Sequence, residues 1–272
     1  MDDKILSIYC LCDDLLKALS HREDPQCQMS DAEIMTTAIV ATYCFGGNYA
    51  QACRFLQLPQ YFPDMLSKSQ FNRRLHRLTD RFVQLFQCLS RTWKDLNTES
   101  IYVIDSYPIA VCDNYRIRRS RICQNEQYRG YIPSKRRYFY GLRIHIMITQ
   151  NGQPVEAFLM PGGVADVDAL KVYEFDLPEH STIYADKAYN EYKTEDLLEE
   201  LCEITLSPLR KKNSKRAVPG YVAYLQHYYR KRVETAGSLI ERTLPKSIHA
   251  VTAKGFELKV FLFVLAYSVS FF

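Results

Sequence analysis

The chain has 272 residues, 47% of them hydrophobic, enough for one large domain or a small one joined to a medium one, and this excludes a disordered or fibrous class. Its formal charge of +4 is too small to select nucleic acid as a partner by itself. The nine cysteines are odd in number and follow no metal-type spacing, so they read as reduced, mostly buried thiols, and with no signal-type segment at the N-terminus a cytoplasmic address is expected.

Residues 1–98 predict a helical module. Ile5, Tyr9, Leu15, Leu16 and Leu19 recur at helical spacing, and Ser30-Asp31-Ala32-Glu33 has the form of a capping box opening a second helix that breaks at Gly46-Gly47. A third helix from about Ser69 carries Phe71, Leu75 and Leu78 inward and turns Arg73, Arg74, Arg77 and Arg81 largely outward, as a basic recognition helix in a helix-turn-helix-like domain would.

After the polar break at residues 97–100 the pattern changes to strands. Residues 101–104 are a continuous apolar run ending in Asp105, as a central strand buried on both faces requires. Residues 138–149 alternate, Gln150-Asn151-Gly152 turns the chain into a strand over 155–160, and Pro161-Gly162-Gly163 ends it. A helix around Ala169, a short strand over 182–185 ending in Asp186, a helix over 197–201 and a strand over 204–206 follow. A helix over about 230–242 carries Glu234, and a last apolar helix follows Gly255. Three strands followed by alternating helices and strands predict an α/β domain over 99–272, a mixed sheet with helices on its faces. Residues 260–272 are uncharged and apolar but shorter than the ~20 residues of a membrane span. A buried final helix is therefore expected, and the apolar end at Phe271-Phe272 leads to the expectation that a few native residues are missing.

Asp105 and Asp186 each end an apolar strand and can project from one sheet edge. Glu234 lies about 100° round from the stripe of Val233, Ala236, Ile240 and Leu244, at the rim of the packed face. Three convergent carboxylates repel one another unless a divalent cation balances them, and all-oxygen ligands favour Mg²⁺ or Mn²⁺ over zinc. On spacing alone each acid also reads as a turn or capping residue. Glu241, on nearly the same helix face, and Glu195 compete for the third position.

The segments IYVIDSYPIAVC, YGLRIHIMITQNG, IYADKAYN, SPLRKKNSKR and YYRKRVETAGSLIERTLPKSIHAVTAKGFELKV give essentially the whole chain a context. In these segments it resembles the DDE transposases of bacterial insertion sequences, most closely insertion-sequence family 982. The resemblance implies an RNase H-like catalytic domain in which Asp105, Asp186 and Glu234 bind two Mg²⁺ ions, with Mn²⁺ able to substitute. It further implies nicking at the element ends, joining of the 3′-hydroxyl to target DNA, a homodimer or higher assembly on the terminal repeats, and a nucleoid-associated bacterial location. Related families place a Tyr, an Arg and a Lys around the glutamate. Here Arg230 lies one turn before Glu234, His227 stands in the tyrosine slot beside Tyr228 and Tyr229, and Arg242 is displaced by one from the downstream basic position.

Two runs supply candidate DNA contacts. Residues 116–143 hold nine Arg or Lys against Glu126 alone, and residues 210–232 hold eight and no acid, both interleaved with tyrosines. Arg119, Arg121, Lys187, Lys211, Lys212, Arg230 and Lys231 join Arg73, Arg74 and Arg77 as the expected contacts, although solvated loop faces would carry similar charge. His145 and His249 have no partner at ligand spacing and read as structural, and Asp166 and Asp168 read as caps or dipole partners of a helix start. The rival functions are a non-catalytic DNA-binding protein derived from a transposase and a hydrolytic RNase H-like nuclease.

Overall fold

The computed structural model describes residues 1–210, 214–245, 248 and 250–272. Packing divides the chain into two compact units: Met1–Leu89 with Ile240–Phe272, and Ser90–Leu239.

The first unit is helical. It contains α1 (Asp2–Ala18), α2 (Asp31–Phe45), α3 (Tyr49–Leu56), α4 (Lys68–Arg77) and the first part of α5 (Thr79–Asp95). The capping box at α2 is present: Glu33 N–H donates to Ser30 Oγ at 3.1 Å and Ser30 N–H to Glu33 Oε2 at 2.7 Å. Ten consecutive residues of α2, 32–41, include nine that are hydrophobic or Thr, and α1, α3 and α4 pack on this helix. It stops at Gly46, whose left-handed backbone (φ 55°) suits a residue without a Cβ. The basic helix expected from residue 69 divides at Leu78, the C-cap of α4, so Arg81 belongs to α5 and donates to Gln84.

The second unit is built on a six-stranded sheet. Its elements are β1 (Ile101–Asp113), β2 (Arg129–Ile132), β3 (Arg137–Thr149), β4 (Pro154–Pro161), α6 (Asp166–Ala169), β5 (Thr182–Ala185), α7 (Tyr192–Cys202), β6 (Thr205–Pro208) and α8 (Gly220–Thr243) as far as Leu239, with short 3-10 turns between. The strand order is β2-β3-β1-β5-β6, and β4 also pairs with β3. β1, β3 and β4 run antiparallel in sequence, and β5 and β6 continue the sheet parallel to β1. This is an α/β mixed sheet flanked by helices, with a helical region before it, and it is consistent with an RNase H-like fold.

Three elements differ from the sequence pattern, each for a local reason. β1 does not end at Asp105 but runs to Asp113, because β3 offers it an antiparallel partner from Tyr102↔Thr149 through to Asp113↔Phe139. β2 lies inside the first basic run, where Gly130 and Ile132 are buried and Arg129 and Tyr131 are exposed, an alternation that four residues are too few to announce. α8 begins at Gly220 rather than near residue 230, directly after Pro219, so all four tyrosines of the second basic run are helical.

The last helix, α9 (Ala253–Val269), is buried along nearly all its apolar length, packs on α2 and belongs to the first compact unit, whereas the sequence pattern divides the chain only once, at 98/99. No described helix is long and apolar enough to cross a membrane. The cysteines correct an expectation. All nine are free thiols, but only Cys12 and Cys123 are buried, since Cys10, Cys27, Cys88 and Cys202 sit on outward positions of their segments.

Candidate active site

β1 and β5 set two of the three acids side by side. Their parallel ladder ends with Ile104 opposite Ala185, and the next residue on each strand is Asp105 or Asp186. The two strands run in the same direction, so the two acids follow the last paired residues at the same end of the β1–β5 ladder. Ile104 and Ala185 are buried, which anchors the backbone of both acids in the core.

Burial raises the Asp105 carboxyl to about 7, and the nearby Asp186 and Asp166 push it the same way, against the Ser106 N–H and Arg230. That N–H donates to Asp105 Oδ1 at 2.8 Å. Asp186 Oδ1 is buried and accepts no hydrogen bond among the described residues, although the Arg230 guanidinium stands 3.3 Å away. Lys187, next in sequence, is exposed at the start of a short 3-10 turn.

α8 brings the third acid. Gln226 is buried and donates to the Ser207 side chain and the Pro208 carbonyl, both at 3.1 Å, which ties the helix to β6. One turn on, Tyr229 stacks on Tyr184 of β5 with ring centres 4.9 Å apart. The Tyr107 hydroxyl of β1 donates to the Val233 carbonyl, and its ring lies against Gly237 so closely that a Cβ there would fall 2.0 Å from ring carbon. Val233 and Ala236 are buried on this face, while Glu234 is 52% exposed at the rim. Arg230 Nε meets Glu234 Oε1 at 3.1 Å and its Nη1 meets Asp186, so one guanidinium joins the helix acid to the strand acid.

A fourth carboxylate stands behind this group. Asp166, the first residue of α6, makes no side-chain cap; it accepts from Ser106 Oγ at 2.6 Å and pairs with Arg143 Nη1 at 3.4 Å. The helix-start reading missed this setting, which follows from register: Ser106 lies opposite His145, and Pro108 opposite Arg143, across β1 and β3. Asp168 instead pairs with Lys171 on the surface. His145 is fully buried, stacks on Phe158, lies 3.3 Å from the Tyr189 hydroxyl, and is pushed down to about 4 by burial, so it is neutral packing material.

The competing acids lie elsewhere. Glu195 is buried and held by Arg210 at 2.7 Å and Arg216 at 3.1 Å. Glu241 lies two turns beyond Glu234, past the end of the second compact unit. Among the described residues, two groups bring three ligand atoms within 4.8 Å of one another, His21-Glu23-Asp31 and Glu179-His180-Glu203, and Asp105, Asp186 and Glu234 are not a third. Arg74 already compensates the first group through Asp31, and the second is exposed.

The expected DNA contacts divide by exposure. Arg73, Arg77, Arg119, Arg121, Lys187 and Lys231 are exposed, and Arg230 is partly so. Arg74 is not turned outward: its guanidinium donates to the Met29 carbonyl and to Asp31 at the N-terminus of α2, where a carboxylate is available to a nearly buried cation. Lys211, Lys212 and His249 lie outside the described residues. α8 also exposes Tyr221, Tyr224 and Tyr228, with the Arg232 guanidinium 5.6 Å from the Tyr228 ring, a feature that only the early start of the helix reveals.

An all-oxygen donor set with an enclosed, poorly compensated carboxyl at its centre is suited to a hard divalent cation. Neither the curated proteins nor the solved structures contain a significant match to the chain. Residues 96–242, more than half the chain and including Asp105, Asp186 and Glu234, match the family model described as a transposase DDE domain, and the protein belongs to that family.

Proposed function

We propose that this chain cuts DNA at the ends of an insertion sequence and joins the freed 3′-hydroxyl to target DNA, with Asp105, Asp186 and Glu234 as its metal-holding acids. The observation that carries the reading is the pair of aspartates that directly follow the last paired residues of β1 and β5, Ile104 and Ala185, linked to Glu234 through Arg230. The orphaned Asp186 Oδ1 and the raised Asp105 carboxyl fit divalent cations. Mg²⁺ ions, when bound, supply charge neutralisation and Lewis acidity for in-line displacement at phosphorus.

The chain's own residues do the positioning. β1 and β5 fix Asp105 and Asp186, and the Tyr107–Gly237 contact fixes the turn of α8 that carries Glu234. Arg230 holds Asp186 and Glu234 against mutual repulsion and, being partly exposed, can also serve a DNA phosphate. Lys187, Lys231, Arg119 and Arg121 are exposed cations for the phosphate backbone, and Tyr221, Tyr224 and Tyr228 offer stacking faces to unpaired bases. The helical region, through Arg73 and Arg77, is assigned to the terminal repeats, with two chains holding two ends.

The test uses the full chain, Mg²⁺ and DNA carrying the element's terminal repeat. Wild type should nick the end and form joined product. Asp105→Ala, Asp186→Ala and Glu234→Ala should each abolish both steps while DNA binding persists. Cleavage without any joined product would identify a hydrolytic nuclease instead, and full cleavage by Glu234→Ala would remove Glu234 from the site.

A further inference from the structure

Consecutive residues of a strand project to opposite faces. Asp105 and Tyr107 of β1 therefore share the face on which Tyr107 meets Val233 of α8, while Ser106 turns the other way, beside its β3 partner His145. On that second face three polar groups close a triangle. Ser106 Oγ donates to Asp166 Oδ1 at 2.6 Å, Arg143 Nη1 donates to Ser106 Oγ at 3.1 Å, and the same Nη1 stands 3.4 Å from Asp166 Oδ1. A serine hydroxyl has one proton to give. Here it goes to Asp166 while the oxygen accepts from Arg143, so the side chain is held in one orientation.

Stability alone accounts poorly for this arrangement. The Arg143 and Asp166 side chains are only 16% and 20% exposed, and Arg143 Nε is buried with no hydrogen-bond partner among the described residues. Desolvating such a pair offsets much of its attraction, and an orphaned donor adds to the cost. What the triangle does hold is a stretch of β1 that has lost a neighbour. The parallel ladder with β5 stops at Ile104 and Ala185, and beyond it β3 is the strand that still pairs with β1. At that point the Ser106 N–H turns to the Asp105 carboxylate and donates to Oδ1 at 2.8 Å. A grip on the Ser106 side chain thus fixes the donor that orients Asp105.

We propose that Asp166 is a positioning residue of the cleavage reaction: with Arg143 it holds Ser106, and through the Ser106 N–H it sets the Asp105 carboxylate for a divalent cation, a role that rests on Asp105 being one of the metal-holding acids. Asp166 then stands behind the metal and not on it, because its Oδ1 is engaged by Ser106 and Arg143 on the face of β1 turned from α8.

The experiment measures Mn²⁺ binding to the full chain by electron paramagnetic resonance without DNA, and single-turnover nicking of terminal-repeat DNA across a Mg²⁺ series. Ser106→Ala and Asp166→Ala should each raise the Mn²⁺ dissociation constant about tenfold or more, as loss of a group that orients a metal ligand does. Each should lower the nicking rate by about the same factor at limiting Mg²⁺, recover part of it at saturating Mg²⁺, and leave DNA affinity unchanged. The double variant should bind Mn²⁺ within about twofold of the weaker single one, because both changes break one link. Asp166→Asn keeps an oxygen that accepts from Ser106 and should stay within about threefold of wild type. Ser106→Ala leaves the Arg143–Asp166 pair in place, so it stands as the test where Asp166→Ala perturbs folding. Wild-type Mn²⁺ affinity in Ser106→Ala would mark the triangle as structural and overturn the proposal. Losses that multiply in the double variant would overturn the link through Ser106, and Asp166→Asn binding Mn²⁺ as poorly as Asp105→Asn would make Asp166 a ligand instead. If Asp105→Ala keeps wild-type Mn²⁺ affinity, the metal-holding assignment falls and this role falls with it. If Asp105→Ala loses Mn²⁺ while Ser106→Ala and Asp166→Ala keep it, this role alone falls.

Discussion

Asp105 and Glu234 belong to one candidate site but are held in opposite ways. Asp105 sits in a strand paired on one side along its whole length and on the other up to the preceding residue, and its carboxyl is enclosed enough to stand near 7. Glu234 is half exposed on a helix that reaches the sheet through Gln226, Tyr229, Val233 and Gly237, and its nearest charge is a mobile-stemmed arginine on its own helix. The sheet supplies a fixed pair of acids, and the helix supplies a third whose reach adjusts. Such a division suits chemistry in which the cation cluster must follow a phosphate that changes geometry as it reacts.

The largest expected effects test this contrast directly. Asp105→Glu, which lengthens the fixed acid by one methylene, should lower the cleavage rate about 10³-fold, roughly 4 kcal/mol of barrier. Glu234→Asp should cost only about 10- to 100-fold. Equal losses in a single-turnover nicking assay would erase the distinction between a rigid and an adjustable acid.

Next comes the seat of α8. Gly237→Val puts carbon into space held by the Tyr107 ring, so the helix must shift or the ring must leave. Overpacking of this kind costs about 1–3 kcal/mol, and the displaced Glu234 should lose about 100-fold in nicking. The double variant Gly237→Val with Tyr107→Ala should recover stability relative to Gly237→Val alone, as a thermal melt would report. A smaller effect belongs to Arg230→Gln, expected at about tenfold in rate, together with a higher Mg²⁺ requirement because Asp186 and Glu234 then repel without mediation.

The smallest effect is on stability without divalent cation. A carboxyl near 7 in the folded chain and at its usual 3.8 when unfolded binds more protons when folded, so stability falls as pH rises from about 4 to about 7 and is level above. With allowance for the solvent contact the residue retains, the loss is about 1–2 kcal/mol. In EDTA, Asp105→Asn should therefore melt higher than wild type at pH 8 and show a flatter pH profile between those limits. Adding Mg²⁺ should raise the wild-type melting temperature more than that of the variant. A wild-type profile identical to that of Asp105→Asn would mean that the carboxyl is not desolvated.

Much of the fold was legible because hydrophobic periodicity is local. The strand at residues 182–185, the alternation of 138–149 and the capping box at Ser30 each carry their signal within a few residues, and the structure has them. What was not legible depends on partners distant in sequence. The extension of β1 to Asp113 needs β3, the ion pair of Asp166 needs the register of Arg143, and the inward turn of Arg74 needs Asp31, 43 residues away. The same holds within the candidate site. Asp105 and Asp186 could be named from strand ends, but the Tyr107–Gly237 contact that aims Glu234 crosses from β1 to α8 and leaves no pattern beyond one helical glycine. That the tyrosines of the second basic run share one helix was not legible, since the sequence pattern opens that helix only near residue 230 and the structure opens it at Gly220.

The most direct test of the central claim is a crystal structure of the full chain grown with Mn²⁺ and measured for anomalous scattering. The account predicts manganese bound at about 2.1 Å by carboxylate oxygens of Asp105 and Asp186, with Glu234 drawn into the same cluster and Arg230 turned from between them. Manganese found instead at His21-Glu23-Asp31 or Glu179-His180-Glu203, with Asp105, Asp186 and Glu234 unliganded, would contradict it.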